Sequence, residues 1–107
     1  MTSIYRFLPQ KVYIVTEKYE TEHAVNREDS ERTELLVYTT LEKAVNYIRS
    51  KAEEAQAGYE EDFWDDGPPD EITLEDILNN YKKREETVVV IQPGDVFVYT
   101  ITEAPVL

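Results

Sequence analysis

The sequence contains no cysteine and one histidine, and both shortages exclude kinds of site. Without cysteine the chain has neither a disulfide framework nor a reactive thiolate, which fits a reducing compartment. His23 alone does not supply the several nitrogen or sulfur ligands that a zinc site requires. The sequence therefore predicts neither a metal centre nor a cofactor.

Glycine and long apolar runs are also scarce. The three glycines, Gly58, Gly67 and Gly94, are too far apart to build a phosphate-binding loop. Residues 1–10 lack an apolar run long enough for a signal peptide, and no run approaches the roughly 20 residues of a membrane-spanning helix. We therefore expect a cytoplasmic protein that does not contact membranes.

Positive charge is absent from residues 52–81, which contain 11 acids and no Lys or Arg. The whole chain has 23 acids, 11 bases and a formal net charge of −12, so this window carries nearly all of the imbalance. Nucleic acid and anionic lipid would repel such a chain, because both are negatively charged. The charge instead favours a basic protein as the partner.

The acids do not match a known catalytic or calcium-binding pattern. Paired carboxylates act as general acid and base when one is buried and its pKa is raised, whereas these acids lie in a surface-like stretch. A calcium-binding EF-hand loop starting at Asp62 would have Trp64 in its third position and Thr73 in place of the final Glu. His23 and Ser30 share one charged segment, without a turn that would position a nucleophile. We expect a protein that is not an enzyme.

Four segments have the alternation and the β-branched and aromatic content of strands: residues 11–19, 34–39, 87–91 and 96–102. Alternation in the first places Val12, Ile14 and Thr16 on one face and the intervening residues on the other. Pro93 and Gly94 suit the central positions of a type II turn, which predicts a hairpin of the last two segments. The first two segments are also expected to pair in the antiparallel sense.

Two segments have the apolar period of amphipathic helices: residues 40–57 and 74–84. Thr39 and Glu42 match a capping box at the start of the first helix, and Gly58 can end this helix in a left-handed conformation. Thr73 and Asp76 match a second cap, and three basic residues suit the end of the second helix.

Together these elements predict one small acidic α+β domain over residues 1–107, with about four antiparallel strands and both helices on one face. Residues 20–33 are polar and do not alternate, so we expect a loop there. A second, acidic loop is expected at residues 59–72, where Gly67, Pro68 and Pro69 interrupt any helix.

The candidate binding residues are acids, with two aromatic residues among them. They are Glu53, Glu54, Glu60, Glu61, Asp62, Phe63, Trp64, Asp65, Asp66, Asp70, Glu71, Glu75 and Asp76. The acids form either a solvated face that keeps a small protein soluble or a docking surface. Carboxylates three or four residues apart on a helix lie about 5–6 Å apart, and DNA carries a charge about every 3.4 Å along each strand. A row of acids can thus imitate nucleic-acid phosphate.

Phe63 and Trp64 have two interpretations. They either fold back over the sheet or between the helices, as a lone Trp commonly does, or they form an apolar anchor ringed by acids at an interface. In the second case they would supply apolar contact, and the surrounding carboxylates would supply steering and register.

In composition the chain is similar to phage-encoded DNA-mimic inhibitors, the class that includes anti-restriction and anti-CRISPR proteins. The resemblance rests on small size, lack of cysteine, strong acidity and residues 53–76, and includes no shared motif. It implies a non-enzymatic intracellular protein that blocks a basic site on a nucleic-acid-binding enzyme or repressor. The alternative is an accessory interaction domain or a homodimer built on a sheet edge, at residues 88–91 or the N-terminal arm, with acids serving solubility.

Overall fold

The structure is a computed structural model that describes residues 11–22, 31–58, 71–92 and 94–106. Its elements in chain order are β1 (Lys11–Thr21), β2 (Glu31–Tyr38), α1 (Leu41–Ala57), α2 (Leu74–Lys82), β3 (Thr87–Gln92) and β4 (Asp95–Pro105). Four strands and two helices confirm the predicted α+β class. Most of the predicted acidic loop, together with His23 and Ser30, lies outside the described residues.

The four strands form one antiparallel sheet in the order β2-β1-β4-β3. The central strands β1 and β4 pair along their whole length, from Lys11 opposite Pro105 to Thr21 opposite Asp95, and β2 and β3 form the edges. The predicted hairpin of β3 and β4 is confirmed. Gly94 has a φ of 88°, a value that the third position of a type II turn requires and that glycine adopts readily.

Both helices pack on the same face of the sheet, here called the inner face, as predicted. On this face Val15 of β1 lies between Leu36 of β2 and Ile101 of β4, and all three contribute to the core. The buried apolar residues are Val15, Ala44, Val45, Ile48, Ala52, Ala55, Ile77, Val89 and Tyr99. Each large aliphatic side chain among them stabilises the fold by about 1.5–3 kcal/mol through its removal from water.

The first helix begins one residue later than predicted and ends at Ala57 as predicted, but both caps differ from the expected ones. Its N-cap is Thr40 rather than Thr39, and the Thr40 hydroxyl accepts a hydrogen bond from the backbone N–H of Lys43 at 3.2 Å. The predicted capping box of Thr39 and Glu42 is therefore wrong. The hydroxyl of Thr39 instead accepts a hydrogen bond from the Nζ group of Lys43, at 3.3 Å. Gly58 ends α1 as predicted, but its φ of −85° is not the left-handed conformation that was expected.

The second helix is capped as predicted but ends earlier. Thr73 and Asp76 form a complete capping box. The backbone N–H of Thr73 donates a hydrogen bond to the Asp76 carboxylate at 2.9 Å, and the backbone N–H of Asp76 donates one to the Thr73 hydroxyl at 3.1 Å. The helix ends at Lys82 because Arg84 has a φ of 59°, in the left-handed region, and Glu85 closes the turn with a bond to the carbonyl of Asn80.

The strands are longer than their apolar patterns. β2 begins at Glu31, within the segment predicted as a loop, because its pairing with β1 continues through polar residues. Arg32 lies opposite Tyr19, and its guanidinium group stacks over the Tyr19 ring at 5.4 Å. Cation–π contact of this kind stabilises a polar strand end that carries no hydrophobic alternation.

Candidate functional site

Five of the residues predicted to bind a partner lie in the described part of the chain. Glu53 and Glu54 lie near the end of α1, Glu71 lies just before α2, and Glu75 and Asp76 lie in its first turn; together they are called the acidic junction. The remaining eight lie outside the described residues: Glu60, Glu61, Asp62, Phe63, Trp64, Asp65, Asp66 and Asp70. The two interpretations of Phe63 and Trp64 therefore stay open.

Arg49 of α1 brings the two parts of the junction together. Its Nε atom lies 3.3 Å from Glu53 on the same helix, and its Nη2 atom lies 4.0 Å from Glu71, just before α2. One guanidinium group thus contacts carboxylates from both sides of the connection between the helices. The fold consequently places acids that are distant in sequence on one surface.

Bases just outside the acidic window partly neutralise the junction. In addition to the contacts of Arg49, the Nζ atom of Lys51 lies 3.5 Å from Glu54. The side chains of Glu53, Glu54 and Glu71 nevertheless remain 64%, 69% and 73% exposed. Exposed ion pairs contribute about 0–1 kcal/mol each, so a basic partner can displace them at little cost.

Asp76 has a local structural role besides its charge. Hydrogen bonds from the backbone and the hydroxyl of Thr73 hold the pKa of Asp76 below its ordinary value. Its negative charge, together with that of Glu75, lies in the first turn of α2, where it complements the positive end of the helix dipole. Capping therefore accounts for this acid independently of any partner.

A buried carboxylate on β1 was not singled out by the sequence. Glu17 is 8% exposed, and its Oε2 atom accepts hydrogen bonds from the hydroxyl groups of Tyr47 and Tyr99, each at 2.7 Å. Burial, followed by the hydrogen bond to Glu17, raises the pKa of both tyrosines far above the ordinary value. Burial and the charge of Glu17 also raise the pKa of Tyr38.

This cluster joins three elements of the fold. Tyr47 belongs to α1, Glu17 to β1 and Tyr99 to β4, so the two hydrogen bonds connect the first helix to both central strands. Because their pKa values are raised, the phenols remain protonated and act as donors rather than bases. Among the described side chains, every buried polar atom has a hydrogen-bond partner. The cluster is thus a satisfied structural network.

An open cleft of about 690 Å³ lies between the end of α2 and the far half of β4. Among its lining residues, Tyr81 donates a hydrogen bond from its hydroxyl to Glu103. The Nζ atom of Lys11, at the start of β1, lies 3.3 Å from the other carboxylate oxygen of Glu103. These contacts, with that of Tyr81 the larger, lower the pKa of Glu103, while burial and Glu103 raise the pKa of Tyr81 to about 12. Neither group therefore exchanges protons near neutral pH.

In the ranges that the structure describes, no three His, Asp or Glu residues group in a way that could hold a metal ion. Neither α1 nor α2 is long and apolar enough to cross a membrane. No protein-family model, curated protein or solved structure matches the chain. The resemblance to DNA-mimic inhibitors therefore stays a prediction.

Proposed function

We propose that this chain is a non-enzymatic binding protein whose acidic surface occupies and blocks a basic site on a nucleic-acid-handling protein. The observation that carries the proposal is the position of Arg49 between Glu53 and Glu71. It gathers carboxylates from α1 and from the segment just before α2 on one exposed surface. Residues 59–70, which connect these helices in sequence, add six acids and no base.

The ion pairs in the junction are weak, so its carboxylates can exchange their present bases for those of a partner protein. Glu53 and Glu54 contact bases of the same helix at exposed positions, where each pair contributes little stability. A denser array of cations, such as a groove that binds phosphates, offers these carboxylates more favourable partners. The net charge of −12 would accelerate the encounter with such a groove and make binding sensitive to salt.

The partner implied by this chemistry is a protein whose basic site binds DNA or RNA, such as a nuclease, a polymerase or a repressor. Within the proposal, Phe63 and Trp64 supply apolar contact, and the acids of residues 53–76 supply the imitation of phosphate. Occupation of the groove would exclude nucleic acid by competition for the same cations. No catalytic step is required of this chain.

The test compares two variants of equal charge. One carries Gln at four junction positions: Glu53, Glu54, Glu71 and Glu75. Its matched control carries Gln at four other exposed acids: Glu22, Glu42, Glu85 and Glu86. Both change the net charge equally, so a difference between them reports the position of the acids rather than their number.

Each protein would be immobilised and exposed to nuclease-treated bacterial lysate at low salt, followed by a high-salt wash. The proposal predicts that the wild type and the control retain a nucleic-acid-binding protein and release it at high salt. The junction variant should retain much less. Equal retention by both variants would contradict a role for the junction.

A second candidate is the accessory domain or homodimer that pairs at a sheet edge, since β3 lies at one edge of the sheet as that interpretation requires. Unpaired backbone groups at an edge can recruit a strand from another chain. A dimer that is insensitive to salt, and whose formation is blocked by proline in β3, would favour this candidate over the first.

A further inference from the structure

The face of the sheet opposite the helices, here called the outer face, is rich in apolar side chains. Strand register assigns to it the residues that alternate with the core: Val12, Ile14, Thr16, Lys18, Glu20, Glu31, Thr33, Leu35, Val37, Val88, Val90, Val96, Val98, Thr100, Thr102 and Ala104. Ile14 lies opposite Val37, and Val98 lies opposite Val88, so apolar pairs extend towards both edges. This composition is typical of a face that packs against another layer.

Within the described part of the chain, nothing covers this face. Both helices pack on the inner face, and the partly buried residues that support the core also belong to the inner face, to the helices or, for Ile72, to the segment just before α2. Leu35 and Val37 are 66% and 64% exposed, and Val88 on the other edge strand is 46% exposed. Three large apolar side chains on one face are therefore open to solvent.

The outer face carries little net charge. Lys18 and Glu20 lie on it, with their Nζ and Oε1 atoms 3.2 Å apart, and the strand register places Glu31 opposite Glu20. One base and two acids give this face a formal charge of −1, whereas the whole chain carries −12. A nearly neutral apolar surface on a strongly acidic protein is the surface on which two copies repel each other least.

We propose that the outer face binds the outer face of a second copy of this chain, which forms a two-layered sheet sandwich. The strands contain 11, 8, 11 and 6 residues. With about 3.3 Å per residue and about 4.8 Å between strands, the face covers about 570 Å². Two such faces bury about 1,100 Å², just above the lower limit of about 1,000 Å² for a specific interface. The dimer is accordingly weak and depends on concentration.

Two-fold symmetry suits the distribution of charge on this surface. In a symmetric dimer the same patch meets itself, so Lys18 of one copy can approach Glu20 of the other while the reverse contact forms as well. The helices and the acidic junction lie on the far side of each sheet. The dimer thus separates the two acidic junctions and leaves both exposed.

The variants that test the proposal act on opposite edges of the sheet. Leu35→Lys with Val37→Lys places two cations on β2, and Val88→Lys places one on β3. Burial of an unpaired lysine in an apolar contact is unfavourable, although each change brings the net charge closer to zero and so reduces general repulsion. The matched control, Asn46→Lys with Asn79→Lys, adds two cations at exposed helix positions.

Sedimentation equilibrium would be measured from about 1 μM to about 1 mM, the range of a weak interface. The proposal predicts that the wild type and the control move from 12.5 kDa towards twice that mass, with a dissociation constant that high salt does not increase. Both outer-face variants should raise the constant at least about tenfold. Circular dichroism checks that both variants fold. We expect them to fold, because the substituted side chains are exposed and do not belong to the core.

Three results would overturn the proposal. The wild type could remain a monomer throughout, as it would if another segment of the chain covered the face. A dimer could form unchanged in both variants, or respond to the β2 variant but not to Val88→Lys, which would indicate pairing at one edge. Concentration-dependent shifts of the wild-type methyl signals of Ile14 and Val98 provide a readout that needs no variant. Their absence in a dimer would also overturn the proposal.

Discussion

The hydroxyl group of Tyr99 donates a 2.7 Å hydrogen bond to the Oε2 atom of Glu17, which connects the two central strands across the inner face of the sheet. Tyr99 is 1% exposed, and Glu17 is 8% exposed. A carboxylate removed from water in this way depends on its donors. The stability of the protein should therefore depend on this contact more than on any comparable surface contact.

Replacement of Tyr99 by Phe should lower the free energy of unfolding by about 1.5–3 kcal/mol, because a hydrogen bond to a buried charged group is lost. Tyr81→Phe is the matched control, since it removes the same hydroxyl from an exposed bond to Glu103. The control should lose less. Urea unfolding measures both values, and equal losses would contradict the structural role of Glu17.

Alkaline pH should weaken the fold through the same tyrosine. A phenol in the unfolded chain ionises near pH 10, whereas burial and Glu17 raise the pKa of Tyr99 in the folded protein. Above about pH 10 the folded state thus binds more protons than the unfolded state, and the free energy of unfolding falls as pH rises. The stability difference between the wild type and Tyr99→Phe should therefore shrink as the pH rises above about 10. A constant difference in urea unfolding would contradict this.

The capping box of α2 should contribute measurable stability. Thr73→Ala removes the hydroxyl that accepts the N–H of Asp76, and the expected loss is about 1 kcal/mol. Thr73→Ser keeps an oxygen in the same position and should retain most of the stability. Thermal unfolding of the two variants tests this capping role of the Thr73 hydroxyl. Equal melting temperatures of Thr73→Ala and Thr73→Ser would contradict it.

Removal of Arg49 should strengthen the binding of a basic ligand. Arg49→Met keeps the aliphatic stem but releases Glu53 and Glu71, so an oligolysine peptide should bind about two- to fivefold more tightly. Lys83→Met changes the net charge equally at the other end of α2 and should have a smaller effect. Fluorescence titration measures both affinities. Equal changes would show that total charge, rather than the junction, governs binding.

Local pattern predicted the elements of this fold, but not their limits. The helical period and the β-branched segments located all six elements because each signal lies within a few residues. The start of β2 depends on the contact of Arg32 with Tyr19, and the end of α2 depends on the left-handed Arg84. Neither follows from hydrophobic pattern, since one contact is long-range and the other concerns a residue that rarely adopts positive φ.

Sequence alternation identified two faces of β1 but could not choose between them. Val12, Ile14 and Thr16 form a face as apolar as the one that contains Glu17, yet the structure buries Glu17. The choice depends on Tyr47 and Tyr99, which lie 30 and 82 residues away and supply the donors that make burial of a carboxylate tolerable. Composition located the acids of the junction, but their ion pairs with Arg49 and Lys51 required the fold.

Displacement by nucleic acid tests the central claim most directly. A protein retained from lysate by the immobilised wild-type chain would be challenged with increasing duplex DNA at constant ionic strength. The account predicts that DNA releases this protein in proportion to its concentration, because both compete for the same cations. It also predicts that an uncharged polymer at the same mass concentration releases none. If the retained protein bound DNA and the acidic chain at the same time, with no displacement, imitation of phosphate by this surface would be contradicted.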